Sequence, residues 1–123
     1  GTTGGQVAPT SLIDQVTPTT PLGRQAPPDG YPVHAAEVAA QFKSGAYSAR
    51  GSVDPIANYR SAKKYVRAAF QKQVDNVGLS FVEIISACPV QWHMTPVQAV
   101  ERVKAQVLAE FPLGEFKNVD KLG

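Results

Sequence analysis

Cysteine is scarce in this chain: Cys88 stands alone among 123 residues. No internal disulfide can form, and the sequence reads as one suited to a reducing compartment. Charge is modest too. Twelve Lys and Arg against ten Asp and Glu leave a formal +2 at pH 7, far from the concentrated basic stripe of a nucleic-acid binder, so RNA and DNA are not expected as partners. No apolar run approaches a membrane span, and neither a signal peptide nor an Arg-rich leader is visible in the sequence as it stands. These absences predict a soluble, cytoplasmic protein with no membrane partner. With 43% hydrophobic residues, the chain can bury one ordinary core and is too short for two generous ones.

What is present begins at once. Gly1-Thr2-Thr3-Gly4-Gly5-Gln6-Val7-Ala8-Pro9-Thr10 has no initiator Met and concentrates hydroxyls, glycines and an amide. Adjacent glycines let consecutive N–H groups converge on an anion, and Thr2, Thr3 and Gln6 add side-chain donors and acceptors. A flexible terminus is the alternative reading. Six of the ten prolines fall at Pro9, Pro18, Pro21, Pro27, Pro28 and Pro32, so residues 1–32 read as a long irregular arm. Its low apolar content predicts mobility.

Residues 33–112 then alternate. A short helix is expected over Val33–Phe42 and a strand over Ala46–Arg50. A long helix follows, capped by Asp54 ahead of Pro55, with Ile56, Tyr59, Val66, Phe70 and Val74 at helical spacing. Leu79–Ile85 is a near-continuous apolar strand of the kind buried on both faces of a parallel sheet, with Glu83 as its polar exception. Thr95-Pro96 repeats the cap-then-proline signal, and Val97, Val100, Val103, Val107 and Phe111 carry a last helix to Pro112. Residues 113–123 read as a polar tail anchored by Leu113 and Phe116. The order predicts an α/β class with parallel strands. Two strands make a poor sheet, so the whole resembles the second half of a doubly wound domain.

Candidate chemistry is sparse. Cys88 lies just past the apolar strand, where ligands bind in open α/β sheets, although a lone cysteine beside apolar residues also fits a core. A thiol nucleophile would need His34 or His93 as base, and no spacing pairs them with it. Trp92 and His93 fit a core edge and a solvated imidazole. Arg60, Lys63, Lys64 and Arg67 fit a solvated helix face or a surface for an acidic protein partner. Glu83 is a carboxylate without a visible mate.

Two segments together resemble a known family. Gly1-Thr2-Thr3-Gly4-Gly5-Gln6-Val7-Ala8-Pro9-Thr10 with Thr17-Pro18-Thr19-Thr20-Pro21-Leu22-Gly23-Arg24 is similar to the thiamine-diphosphate-binding (beta) subunit of 2-oxoacid:ferredoxin oxidoreductases. So are Phe81 to Pro96, around Ser86-Ala87-Cys88-Pro89, and Phe111-Pro112-Leu113-Gly114. The similarity spans essentially the whole chain and covers the carboxyl-terminal half of that subunit.

The resemblance implies oxidative decarboxylation of a 2-oxoacid with coenzyme A to acyl-CoA and carbon dioxide, with reduction of ferredoxin. Thiamine diphosphate, magnesium and a [4Fe–4S] cluster are the implied cofactors. Thr3, Gly4, Gly5 and Gln6 then match the loop beside the magnesium diphosphate, and Thr2 matches the catalytic position nearest the thiazolium, where family members often carry Met, Leu or Asn. Cys88 matches the fourth cysteine of the cluster site. Ala87 stands where proline is common and His93 where glycine is common. The family's Cys-x-x-Cys pair, Gly-Asp-Gly-Asp metal motif and Asn-Asn segment would precede Gly1. The cofactors are therefore expected to need residues from elsewhere, with a pyrimidine-binding alpha subunit and small subunits as partners. The competing reading is a non-catalytic α/β interaction module with Cys88 in its core.

Overall fold

The computed structural model describes residues 5–123. They form two compact units: the chain up to His34 with Ala87–Glu110, and Ala35–Ser86 with Phe111–Gly123.

The second unit is the α/β layer, in the order α1 (Ala35–Ala40), β1 (Gly45–Ser52), α2 (Ile56–Val74), β2 (Leu79–Ile85) and, last in sequence, β3 (Gly114–Asn118). The sheet has three strands in the order β2-β1-β3. β1 and β2 run parallel, with Arg50 opposite Glu83 and Gly51 opposite Ile84. β3 pairs antiparallel with β1, with Ser48 opposite Lys117 and Arg50 opposite Gly114. The expected α/β class holds, and β2 lies where the apolar run placed it.

Burial departs from expectation. β1, whose sequence is GAYSARGS, is buried at every position, because it is central and covered on both faces. β2 is an edge strand with Leu79 and Ile84 exposed. Its apolar run therefore does not mark burial on both sides. The small side chains of β1 let helices approach closely. On one face, Ser48 Oγ donates to the Ala36 carbonyl of α1 at 2.5 Å. On the other, a Cβ at Gly51 would lie 2.7 Å from Ala62 Cβ of α2, so only glycine permits that approach. The core is accordingly rich in alanine: Ala36, Ala39, Ala46, Ala49 and Ala62 are all buried.

The same packing reverses the reading of α2. Ala62 faces the sheet, while Ile56, Tyr59, Val66, Phe70 and Val74 are exposed. The bulky stripe is not the core face, since the close approach at Gly51 has room only for alanine. Pro55 rather than Asp54 occupies the N-cap position; the Asp54 carbonyl instead accepts from Ser52 Oγ and Asn58 Nδ2. Residues 114–118 form β3 where a tail was expected, and Phe116 is an anchor within it.

The first unit contains the arm, α3 (Pro89–Trp92) and α4 (Pro96–Arg102), which continues through a π turn (Val103–Val107) into α5 (Leu108–Glu110). The Thr95 signal is borne out as a full capping box with Gln98. The arm is irregular, as its prolines require, but it has an organising centre. Arg24 is 4% exposed. The five N–H groups of its guanidinium are shared among the carbonyls of Ala8, Pro9, Ser11, Asp29, Gly30 and Tyr31. A polar hub replaces the apolar surface the arm lacks.

Candidate functional site

Of the residues singled out for a cofactor, Thr2, Thr3 and Gly4 lie outside the described residues. Gly5 is buried with φ +72°, in the left-handed region that favours glycine. A Cβ there would overlap the side-chain oxygen of Gln91 and sit 3.3 Å from Pro18. Gly5 therefore packs against the Gln91 side chain of α3, and the structure brings together two segments far apart in sequence. Gln6 is exposed.

Cys88 is a free, half-buried thiol at the N-cap position of α3. Its carbonyl accepts from Trp92 N–H at 3.1 Å. Its sequence-stretch neighbour His93 ends α3 at φ +53°, ψ +44°. That is the left-handed region that favours glycine. His34, considered as a base, instead has its Nε2 2.9 Å from Glu110 Oε1.

The same unit holds a cleft of about 460 Å³ lined by Thr17, Gln91, Trp92, His93 and Arg102, among others. The Arg102 guanidinium lies 4.9 Å from the centre of the Trp92 ring, and its buried Nε has no hydrogen-bond partner among the described residues. Trp92 is thus a half-exposed wall of the cleft. Gln91 and Arg102 were not legible as site residues beforehand. The signal available was the place of Gln91 beside the Cys-Pro element.

In the other unit, Glu83 finds the mate its sequence did not reveal. Arg50, fully buried, donates from Nε to Glu83 Oε2 at 2.7 Å and grips both oxygens of Glu37 at 2.9 and 2.5 Å. It also donates to the Pro112 carbonyl and lies 5.2 and 5.1 Å from the ring centres of Phe111 and Phe116. Burial works against the guanidinium's charge, but the hydrogen bonds and charges of Glu37 and Glu83 outweigh it and raise its pKa. Tyr47 is shifted up by burial first and by its 2.6 Å hydrogen bond to Glu115 second. Both groups hold one protonation state, as structural groups do; neither is poised for proton transfer near neutrality.

Among the described residues, no group of three or more His, Cys, Asp and Glu could hold a metal ion, and no helix is long and apolar enough to cross a membrane.

No family model matches the chain, and no solved structure does. Two curated proteins do. The chain is 36% identical over 118 residues to ketoisovalerate oxidoreductase subunit VorA of Methanothermobacter marburgensis. It is 34% identical over 118 residues to the protein of the same name from Methanothermobacter thermautotrophicus. In each case the alignment covers 96% of this chain and 25% of the relative. The motif resemblance suggested a beta subunit, whereas VorA is designated an alpha subunit. The subunit letter is corrected accordingly; it names a polypeptide of which the aligned part is a quarter. The chain is thus similar to ketoisovalerate oxidoreductase VorA subunits along nearly its whole length and spans about a quarter of theirs.

Proposed function

We propose that the chain is part of a 2-oxoacid oxidoreductase subunit. The reaction in this reading is oxidative decarboxylation of a branched 2-oxoacid, ketoisovalerate in the relatives' name, to an acyl-CoA and carbon dioxide, with ferredoxin as electron acceptor. The single observation that carries it is the alignment across 96% of the chain, a stretch long enough to include Cys88 wherever it begins. The packing of Gly5 on Gln91 supports treating the Gly5 and Cys88 segments as one site.

The residues present do not by themselves fit the implied cofactors. A [4Fe–4S] cluster needs four ligands, and this chain has one cysteine. Magnesium takes oxygen ligands, carboxylates among them, and among the described residues no three or more His, Cys, Asp and Glu lie together. The side of Gly5 where a Cβ would stand is filled by the Gln91 side chain. Cys88 and the loop around Gly5 are in this reading contributions to sites completed by other polypeptides, the thiamine-diphosphate site included. Arg102, with Gln91 and His93, offers a cation and polar groups in a cleft to an anionic substrate.

The test is assembly of the chain with the polypeptides that complete the enzyme, followed by coenzyme A-dependent ferredoxin reduction with ketoisovalerate, pyruvate and 2-oxoglutarate in parallel. Preference for ketoisovalerate is expected. Cys88→Ala in the same assembly is expected to lower iron content per complex. Turnover of none of the three acids would overturn the reading, and unchanged iron would return Cys88 to the core.

A further inference from the structure

The exposed stripe on α2 is not explained by the fold. Ile56, Tyr59, Val66, Phe70 and Val74 recur along one side of the helix, with Ile56, Phe70 and Val74 exposed by 70%, 69% and 78%. At about 100° per residue they share a strip that also takes in the exposed Lys63, with Ala62, which faces the sheet, beyond its Val66 edge. Exposed apolar surface of this extent, interrupted by a single cation, marks an interaction site.

What borders the strip identifies its occupant. Helix α2 carries Arg60, Lys63, Lys64, Arg67 and Lys72 and no Asp or Glu. Arg60, Lys63, Lys64 and Arg67 are exposed, and none forms an ion pair among the described residues; Lys72 is buried and paired with Asp120. By the same helical geometry, Arg60, Lys64 and Arg67 form a row along one flank of the strip. The other flank is the β2 side, fixed by the hydrogen bonds of Gln73 Nε2 to the Gly78 carbonyl and Ser80 Oγ. There β2 is the sheet edge, with Ile84 exposed.

We propose that this strip is the docking surface for an acidic amphipathic helix of another polypeptide, lying along α2 with its carboxylates toward Arg60, Lys64 and Arg67. A second copy of α2 fits poorly, since it would bring cations against cations. A membrane fits less well than a protein, because the cations line one flank and a sheet edge the other. A partner helix spanning α2 would be about 28 Å long. The surface stands apart from the oxidoreductase reading.

The test uses the full chain and fluorescent helical peptides of about 20 residues, with a leucine stripe flanked by Glu in one and by Lys in the other. Vesicles of phosphatidylserine and phosphatidylcholine, and sedimentation of the chain alone, complete the set. The Glu-flanked peptide is expected to bind. Binding should weaken by about tenfold or more with Phe70→Glu, with Arg60→Glu plus Arg67→Glu, and with added salt. These positions are exposed, and circular dichroism checks that the variants fold. Equal binding of the Lys-flanked peptide, no binding of the Glu-flanked one, insensitivity to Phe70→Glu, vesicle binding without peptide binding, or self-association lost with Phe70→Glu would each overturn the proposal.

Discussion

Arg50 and Glu83 occupy partnered positions on the two parallel strands, and their side chains meet at 2.7 Å beneath the sheet surface. The register that pairs β1 with β2 is thus written in charge as well as in apolar contact. A slip by one residue would send Arg50 to the face of Ala62 and leave Glu37 and Glu83 without their cation. The aromatic rings of Phe111 and Phe116 flank the guanidinium, so the residues from 111 to 118 are tied to the strands by the same group.

Removing this cation alone is therefore costly. Arg50→Met should destabilise the protein by about 3–5 kcal/mol, because two carboxylates lose their partner inside the fold. Adding Glu83→Leu to Arg50→Met should recover part of that loss, a non-additive result that denaturant melts of the single and double variants would read. Equal and additive losses would mean that the pair is not coupled.

Gly51 sets how near α2 comes to the sheet. Gly51→Ala places a methyl group 2.7 Å from Ala62 Cβ and 3.0 Å from Ala62 Cα, and α2 must move away. A loss of about 1–3 kcal/mol is expected. Ala62→Gly in the same chain should relieve part of it, despite glycine's own cost within a helix. Thermal or denaturant unfolding of the three variants measures the balance.

Lys72 and Asp120 give the fold an acid-sensitive contact. Lys72 Nζ reaches Asp120 Oδ1 at 2.5 Å, and the hydrogen bond and charge of Lys72 hold the Asp120 carboxyl below its ordinary value. A carboxyl with a depressed folded value stabilises the fold above its unfolded value of about 4. That contribution is lost as the pH falls through the folded value. Asp120→Asn should consequently melt below the parent protein at pH 7, and the difference should close as the pH falls below about 4. A difference independent of pH would deny the pair its electrostatic role.

Local signals survived into the structure where the chemistry is local. Thr95, Pro96 and Gln98 name their own helix start, and Leu79–Ile85 names its own strand. What failed was set at long range. β3 has the unremarkable sequence GEFKN and exists because β1 offers it an edge. The stripe of α2 has the spacing of a core face, yet Gly51 and Ala62 decide which side turns inward. Nothing in the local sequence marks Arg24 or Arg50 as buried; their partners, distant in sequence, close around them. For the candidate site, the sequence placed Gly5 and Cys88 in suggestive motifs; their shared neighbourhood through Gln91, and the cleft with Arg102, required the fold. Thr2, Thr3 and Gly4 lie outside the described residues, so their roles rest on the motif alone.

Arg24 offers the sharpest test of how the arm is held. Its planar fork serves carbonyls on several sides at once, from Ser11 at 2.6 Å to Tyr31 at 2.9 Å. Lysine has a single ammonium with three donors and cannot reproduce that geometry. Arg24→Lys should leave buried carbonyls without donors, each costing about 1–3 kcal/mol if the arm stayed closed, so the arm should open instead. Limited proteolysis should then cut between Leu12 and Tyr31 much faster than in the parent protein. Hydrogen exchange should show lost protection at the Asp14 and Val33 amides, which bond to the carbonyls of Arg24 and Pro9, with the amides of β1 unchanged. If those two amides exchange freely already in the parent protein, the low apolar content of the arm outweighs its hub, and the mobility expected from composition is the correct description.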